Sequence, residues 1–190
     1  MRHAFPLVLL VLLGAASPAA AQGCFFDPDP DASTGAATNV IPFGNGTASW
    51  DNQRCQNLIL KHALPGTPGL LTAVGFAPSA SSTGALYSSM ELRIGHNNTG
   101  ALQAPFAGNY MIPETVCFQQ ANFSWVYQAS EWAKIPLTVP FIYNGTDNLI
   151  VDVIALGSAL NSKSGFRRSS TIPRNYSTSY SAAVPSATVS

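Results

Sequence analysis

The stretch Trp132 to Val153, WAKIPLTVPFIYNGTDNLIVDV, leaves the chain little choice but β-structure. Ile135, Leu137, Val139 and Phe141 alternate with Pro136, Thr138 and Pro140, the period of two that puts one set of side chains on a buried face. Proline has no N–H to give to a ladder, so Pro136 and Pro140 predict a sheet edge or a bulge. Asn144-Gly145-Thr146-Asp147-Asn148 supplies residues that tolerate positive φ, and a hairpin reversal is expected there. The return, Leu149 to Leu156, is apolar on both faces except at Asp152, which is the pattern of a strand inside a sandwich.

The rest of the chain reads the same way. Prolines exclude helix from Phe25 to Gly46, and Gln53 to Leu60 and Leu70 to Ala77 are strand candidates separated by turn residues. Met90, Leu92 and Ile94 alternate with Glu91 and Arg93, predicting an amphipathic strand with its charges outward. Leu102 to Ala107, Thr115 to Gln119 and Phe123 to Tyr127 are three further short candidates, the last with three rings on one face. Short strands at close spacing without a helical period predict an all-β, antiparallel β-sandwich of jelly-roll-like type.

Arg2 and His3, the apolar run Pro6 to Gly14 and the small residues Ala15 to Ala21 form a signal peptide over 1–22. Export to the extracellular space or periplasm is expected. Lipid anchoring at Cys24 is the weaker alternative, because Gln22 fits a lipobox poorly. Beyond the leader no apolar run reaches the length of a membrane span. A turn-rich lead (23–49), the sandwich domain (50–176) and a polar tail (177–190) follow.

Charged residues make up 9% of the chain and sum to a formal net charge of +0, so nothing points to nucleic acid or an anionic membrane. Three cysteines in an oxidising compartment leave one over. Cys55 and Cys117 both lie in strand-like text, and a bridge between them would contribute about 4 kcal/mol on the chain-entropy model. Cys24 is then free or intermolecular, while its pairing with either of the others stays open.

Several short motifs occur in one order: Asn39-x-Ile41-Pro42-Phe43-Gly44, Gln53-Arg54-Cys55-Gln56, Leu92-x-Ile94-Gly95-His96, Phe106-Ala107-x-Asn109, then Trp132-x-x-Ile135-x-Leu137-x-x-Pro140-Phe141-x-Tyr143-x-Gly145-x-x-Asn148-Leu149-x-Val151-Asp152, and Gly165-Phe166-Arg167. Together they resemble a group of poorly characterised exported bacterial β-sandwich proteins, over nearly all of the mature chain. The resemblance implies fold and export, and no catalytic residues. It also implies one more apolar strand after Arg174-Asn175-Tyr176, so a missing final strand is expected.

Chemistry is sparsely signalled. His62 and His96 are the histidines beyond the leader, and both read as solvated turn or strand-end residues. Neither a G-x-S-x-G elbow, an H-E-x-x-H helix nor a phosphate-cradling glycine loop is present. A hydrolase would have to assemble its site from separate strands, with Glu91 and Asp152 as a carboxylate couple if their strands were adjacent. Asp27, Asp29 and Asp31 offer alternate carboxylates for calcium, although the intervening prolines splay them apart. Trp50, Trp132 and Tyr143 are the ring candidates for stacking on a ligand, against a background in which most aromatics of a small sandwich fill the core. N-x-S/T sequons stand at Asn45, Asn97, Asn122, Asn144 and Asn175. The expectation is a non-catalytic extracellular or surface module that binds carbohydrate, envelope polymer or protein. Self-association through open sheet edges is the structural alternative.

Overall fold

The computed structural model describes residues 38–44, 49–129, 131–159, 165–167, 172–181 and 188–189. Its strands are β1 (Thr38–Asn39), β2 (Gln53–Ile59), β3 (Gly69–Phe76), β4 (Ser82–Asn97), β5 (Thr115–Tyr127), β6 (Ala133–Tyr143), β7 (Asn148–Leu156), β8 (Phe166–Arg167), β9 (Arg174–Ser177) and β10 (Thr188–Val189). Six of them form an antiparallel sheet in the order β10-β9-β2-β7-β4-β5, β3 pairs with β6, and β1 pairs with β8. The fold is all-β, antiparallel and sandwich-like, as the alternation requires.

The Trp132–Val153 stretch does form two strands, but they do not pair with each other. β6 belongs to the two-stranded sheet and β7 lies in the six-stranded one, so the expected hairpin is a crossing between layers. Residues 144–147 make the crossing. The Asn144 side-chain oxygen accepts the N–H groups of Thr146 (3.0 Å) and Asp147 (3.1 Å), and Gly145 takes φ +81°. A Cβ at Gly145 would stand 2.6 Å from Pro68 N, so the β2–β3 loop closes against the turn. Turn chemistry fixed the reversal, whereas the choice of partner was made by burial. β7 runs between β2 and β4 with Asn148 to Ala155 all buried, and β6, which carries the prolines, pairs on one side only. Its ladder to β3 breaks between Leu71 and Ala73, whose partners are Phe141 and Pro136, so both prolines border or enter the irregular segment.

The core fills the space between the layers. Met90, Leu92 and Ile94 of β4 and Leu149 and Val153 of β7 share it with Ile135, Leu137, Phe141 and Tyr143 of β6. Each such side chain contributes about 1.5–3 kcal/mol through burial. At one end Phe43, Trp125 and Phe166 gather, the latter two stacked at 5.6 Å and 7° between ring planes. Phe123, Trp125 and Tyr127 do share the inner face of β5, with Ser124 and Val126 exposed between them.

Four local expectations change. Thr115–Gln119 and Phe123–Tyr127 are one strand, β5, and Leu102–Ala107 is irregular chain leading into a short 3₁₀ turn, Phe106–Asn109. The polar tail holds β10, paired with β9. The Cys55–Cys117 bridge is absent: both are buried free thiols. Cys55 is in β2 and Cys117 in β5, separated by β7 and β4, and three strand spacings amount to about 14 Å, well beyond disulfide reach. Cys24 lies outside the described residues.

Candidate functional site

The two faces of this sandwich differ in kind. On the far side of the six-stranded sheet, cross-strand register brings Arg54 and Gln56 of β2, Asp152 of β7, and Glu91 and Arg93 of β4 onto one surface, with Gln56 and Arg93 directly opposite Asp152. The segment 98–114 folds over them. Asp152 is fully buried and accepts from Arg54 Nη2 (2.6 Å) and Nε (3.1 Å), Gln56 Nε2 (3.0 Å) and Tyr110 Oη (2.7 Å). The Arg54 guanidinium lies 4.4 Å from the Phe106 ring centroid. Burial opposes its charge, but the hydrogen bond and charge of Asp152 outweigh that and raise its pKa. Burial and the same carboxylate push the Tyr110 phenol up, so it remains a donor.

The segment is held by amides as well. Asn109 donates to Gln56 Oε1 (2.8 Å), Asn97 donates to Asn109 O (2.8 Å), and Asn175 donates to Gln103 O (2.9 Å) and Ala104 O (3.1 Å). The sequons at Asn97 and Asn175 therefore sit on buried structural amides, whereas Asn122 and Asn144 are exposed. Asn45 lies outside the described residues.

This clasp explains why the β4 charges were misread. Glu91, which alternation assigned to solvent, is only 9% exposed and bonded to Arg93 and to Gln119 Nε2 of β5, while Arg93 in turn binds Glu114 of segment 98–114. Adjacency of β4 and β7 does bring Glu91 and Asp152 onto one face, but each is neutralised by its own arginine. A carboxylate whose oxygens accept four donors and which has no exposed surface has no room for a substrate. Its role here is to hold the segment.

The outer face of the β3–β6 sheet is the opposite case. Among the described residues nine large hydrophobic side chains are exposed, and three of them lie here: Leu70 (54%), Ile142 (71%) and Trp132 (38%); Val139 (49%), which alternation put on the buried face, is exposed in the irregular segment of β6. Leu70 and Ile142 are direct cross-strand partners, and Ala73 with Pro136 and Gly75 with Lys134 continue the row. Trp132 sits diagonally across Gly75, where an added Cβ would meet its Cε3 at 3.5 Å. Lys134 is the one charged side chain of β3 and β6. Exposed apolar side chains at both ends of this row make the face the candidate site.

The other residues singled out by sequence fall as follows. Tyr143 is fully buried and donates its hydroxyl to Asp147 O (3.0 Å), so it is a core residue and not a ligand platform; its inward parity on β6 decides this. Trp50 is half-buried. His96 ends β4 and is no loop histidine: its ring packs 5.0 Å from Phe141, and Nε2 accepts the Asn144 N–H at 3.3 Å. His62 is exposed in a 3₁₀ turn, Lys61–Ala63. Asp27, Asp29 and Asp31 lie outside the described residues. Among the described residues no group of three or more His, Cys, Asp or Glu side chains could hold a metal ion, and no helix is long and apolar enough to cross a membrane. Sequence reasoning missed Leu70, Ile142 and Val139 as surface residues, since a two-stranded layer with an apolar outer side cannot be told from a buried strand by alternation.

No family model, curated protein or solved structure matches the chain.

Proposed function

We propose that the protein is an exported, non-catalytic binding module whose recognition surface is the outer face of the β3–β6 sheet. The observation that carries this reading is that Leu70, Ile142 and Trp132 are all exposed on one small sheet whose sole charged side chain, within the strands, is Lys134. The charged residues of the opposite face are paired with each other: Asp152, held by Arg54, binds Tyr110 of segment 98–114, and Arg93, held by Glu91, binds Glu114 of the same segment. Export rests on the leader sequence, and the envelope or extracellular space is where such a module would meet its partner.

The test is a binding screen of the purified protein against glycans, envelope polymers and surface proteins, repeated with Ile142→Asp. A charge at the most exposed position of the face leaves the core untouched and should abolish whatever binding the wild type shows. Binding that survives this substitution would move the recognition surface elsewhere.

A second reading has its own observation. Among the described residues β3 pairs with β6 alone, so its other edge offers main-chain donors and acceptors to a further strand. Self-association by strand addition would appear as a mass above monomer in light scattering at high concentration.

A further inference from the structure

The reading of the β3–β6 face as a binding surface leaves its occupant open, and the face itself narrows the choice. Among the described residues Trp132 is the sole aromatic of the exposed large hydrophobics. It is placed outward next to Gly75, at the one outward position of β3 that has no side chain, so the indole lies against the sheet instead of standing off it. Along the same face are groups that make hydrogen bonds while adding little field: the ammonium of Lys134, opposite Gly75, and, further along β3, the exposed Thr72. Charge argues the same way, for a face with one cation and no carboxylate on its strands offers little to a polyanion or a strongly charged peptide. The row from Gly69 to Phe76 extends about 23 Å at the usual rise per residue, a track for an extended chain.

Resting on that reading, we infer that the occupant is a neutral polysaccharide, with one sugar ring stacked on Trp132 and the chain running along β3 toward Leu70 and Ile142. A pyranose has an apolar C–H face that fits an indole and hydroxyls around its rim that fit Lys134 beside it and Thr72 further along the strand. No bond is made or broken.

The experiment is co-sedimentation of the purified protein with insoluble neutral glycans (cellulose, chitin, mannan and starch), using wild type, Trp132→Ala, Trp132→Tyr and Ile142→Asp. Wild type should be retained by at least one glycan, Trp132→Ala should bind roughly tenfold or more weakly, and Trp132→Tyr should keep most of the affinity. Equal melting temperatures exclude misfolding as the cause. Bound glycan should also shield Trp132 from acrylamide quenching, and Trp132→Phe should lose that protection. Retention of wild type by none of the glycans, or equal retention of Trp132→Ala, overturns the inference. If glycans fail while a protein contact or self-association is lost in Ile142→Asp, the glycan assignment falls and the binding face stands. If Ile142→Asp changes nothing that wild type binds, both fall.

Discussion

The Tyr110 ring occupies the place a side chain at Gly95 would need: a Cβ there would stand 2.4 Å from Tyr110 Cδ1 and 2.9 Å from Cε1. Segment 98–114 can therefore settle on β4 only because position 95 is bare. Gly95→Val should push the ring away, lengthen the Tyr110–Asp152 hydrogen bond and destabilise the protein by about 1–3 kcal/mol, as overpacking does. Urea unfolding followed by fluorescence measures it, and a Gly95→Val variant as stable as wild type would remove Tyr110 from its assigned place.

Breaking the Arg54–Asp152 pair is expected to cost more. Asp152→Ala leaves a buried guanidinium with no counter-charge, for which about 3–5 kcal/mol is typical. Replacing both, as Arg54→Met with Asp152→Leu, should cost clearly less than the sum of the single changes, because no orphaned charge remains. A double-mutant cycle in urea reads the difference; strict additivity would show that the two residues act independently.

Acid should loosen the clasp at its rim. Burial alone would raise the Glu114 carboxyl, but a backbone hydrogen bond and Arg93 (Nη1 at 2.7 Å) outweigh it and hold its pKa below the ordinary value. A carboxylate depressed in the folded state stabilises it above the unfolded pKa, and that stability is lost as pH falls through the folded pKa. The urea midpoint should fall on acidification across and below the ordinary carboxylate range, and Glu114→Gln should flatten that slope.

Cys55 and Cys117 should be silent in the native protein. Burial pushes the Cys55 thiol up to about 12 and raises that of Cys117, so neither presents a thiolate at neutral pH. Alkylation in native buffer should leave both unmodified, and unfolding without any reductant should make both react. A mass showing them joined to each other would contradict the strand order.

Much of the architecture was legible because alternation and prolines are local signals. β7 declared itself central through its apolar run, and Pro136 and Pro140 marked β6 as weakly paired. What alternation cannot report is which layer a strand joins or what later covers a face. Glu91 and Arg93 look solvent-facing in sequence, yet Glu91 is buried against Arg93 and Gln119, and Arg93 is partly covered by Glu114 of the returning segment 98–114. Tyr143 and Trp132 illustrate the same limit at the candidate site. Both are aromatic residues bordering one proline-bearing strand, yet parity sends Tyr143 into the core and Trp132 onto the surface beside a glycine that no spacing rule would have linked to it.

The turn at 144–147 deserves a mechanical reading. Strands adjacent in sequence but assigned to opposite layers are tethered face to face, with only those residues between them. The leash keeps the end of β6 beside the start of β7 across the gap between the layers. A pull on β6 is passed through this joint into β7, the strand flanked on both sides in the larger sheet.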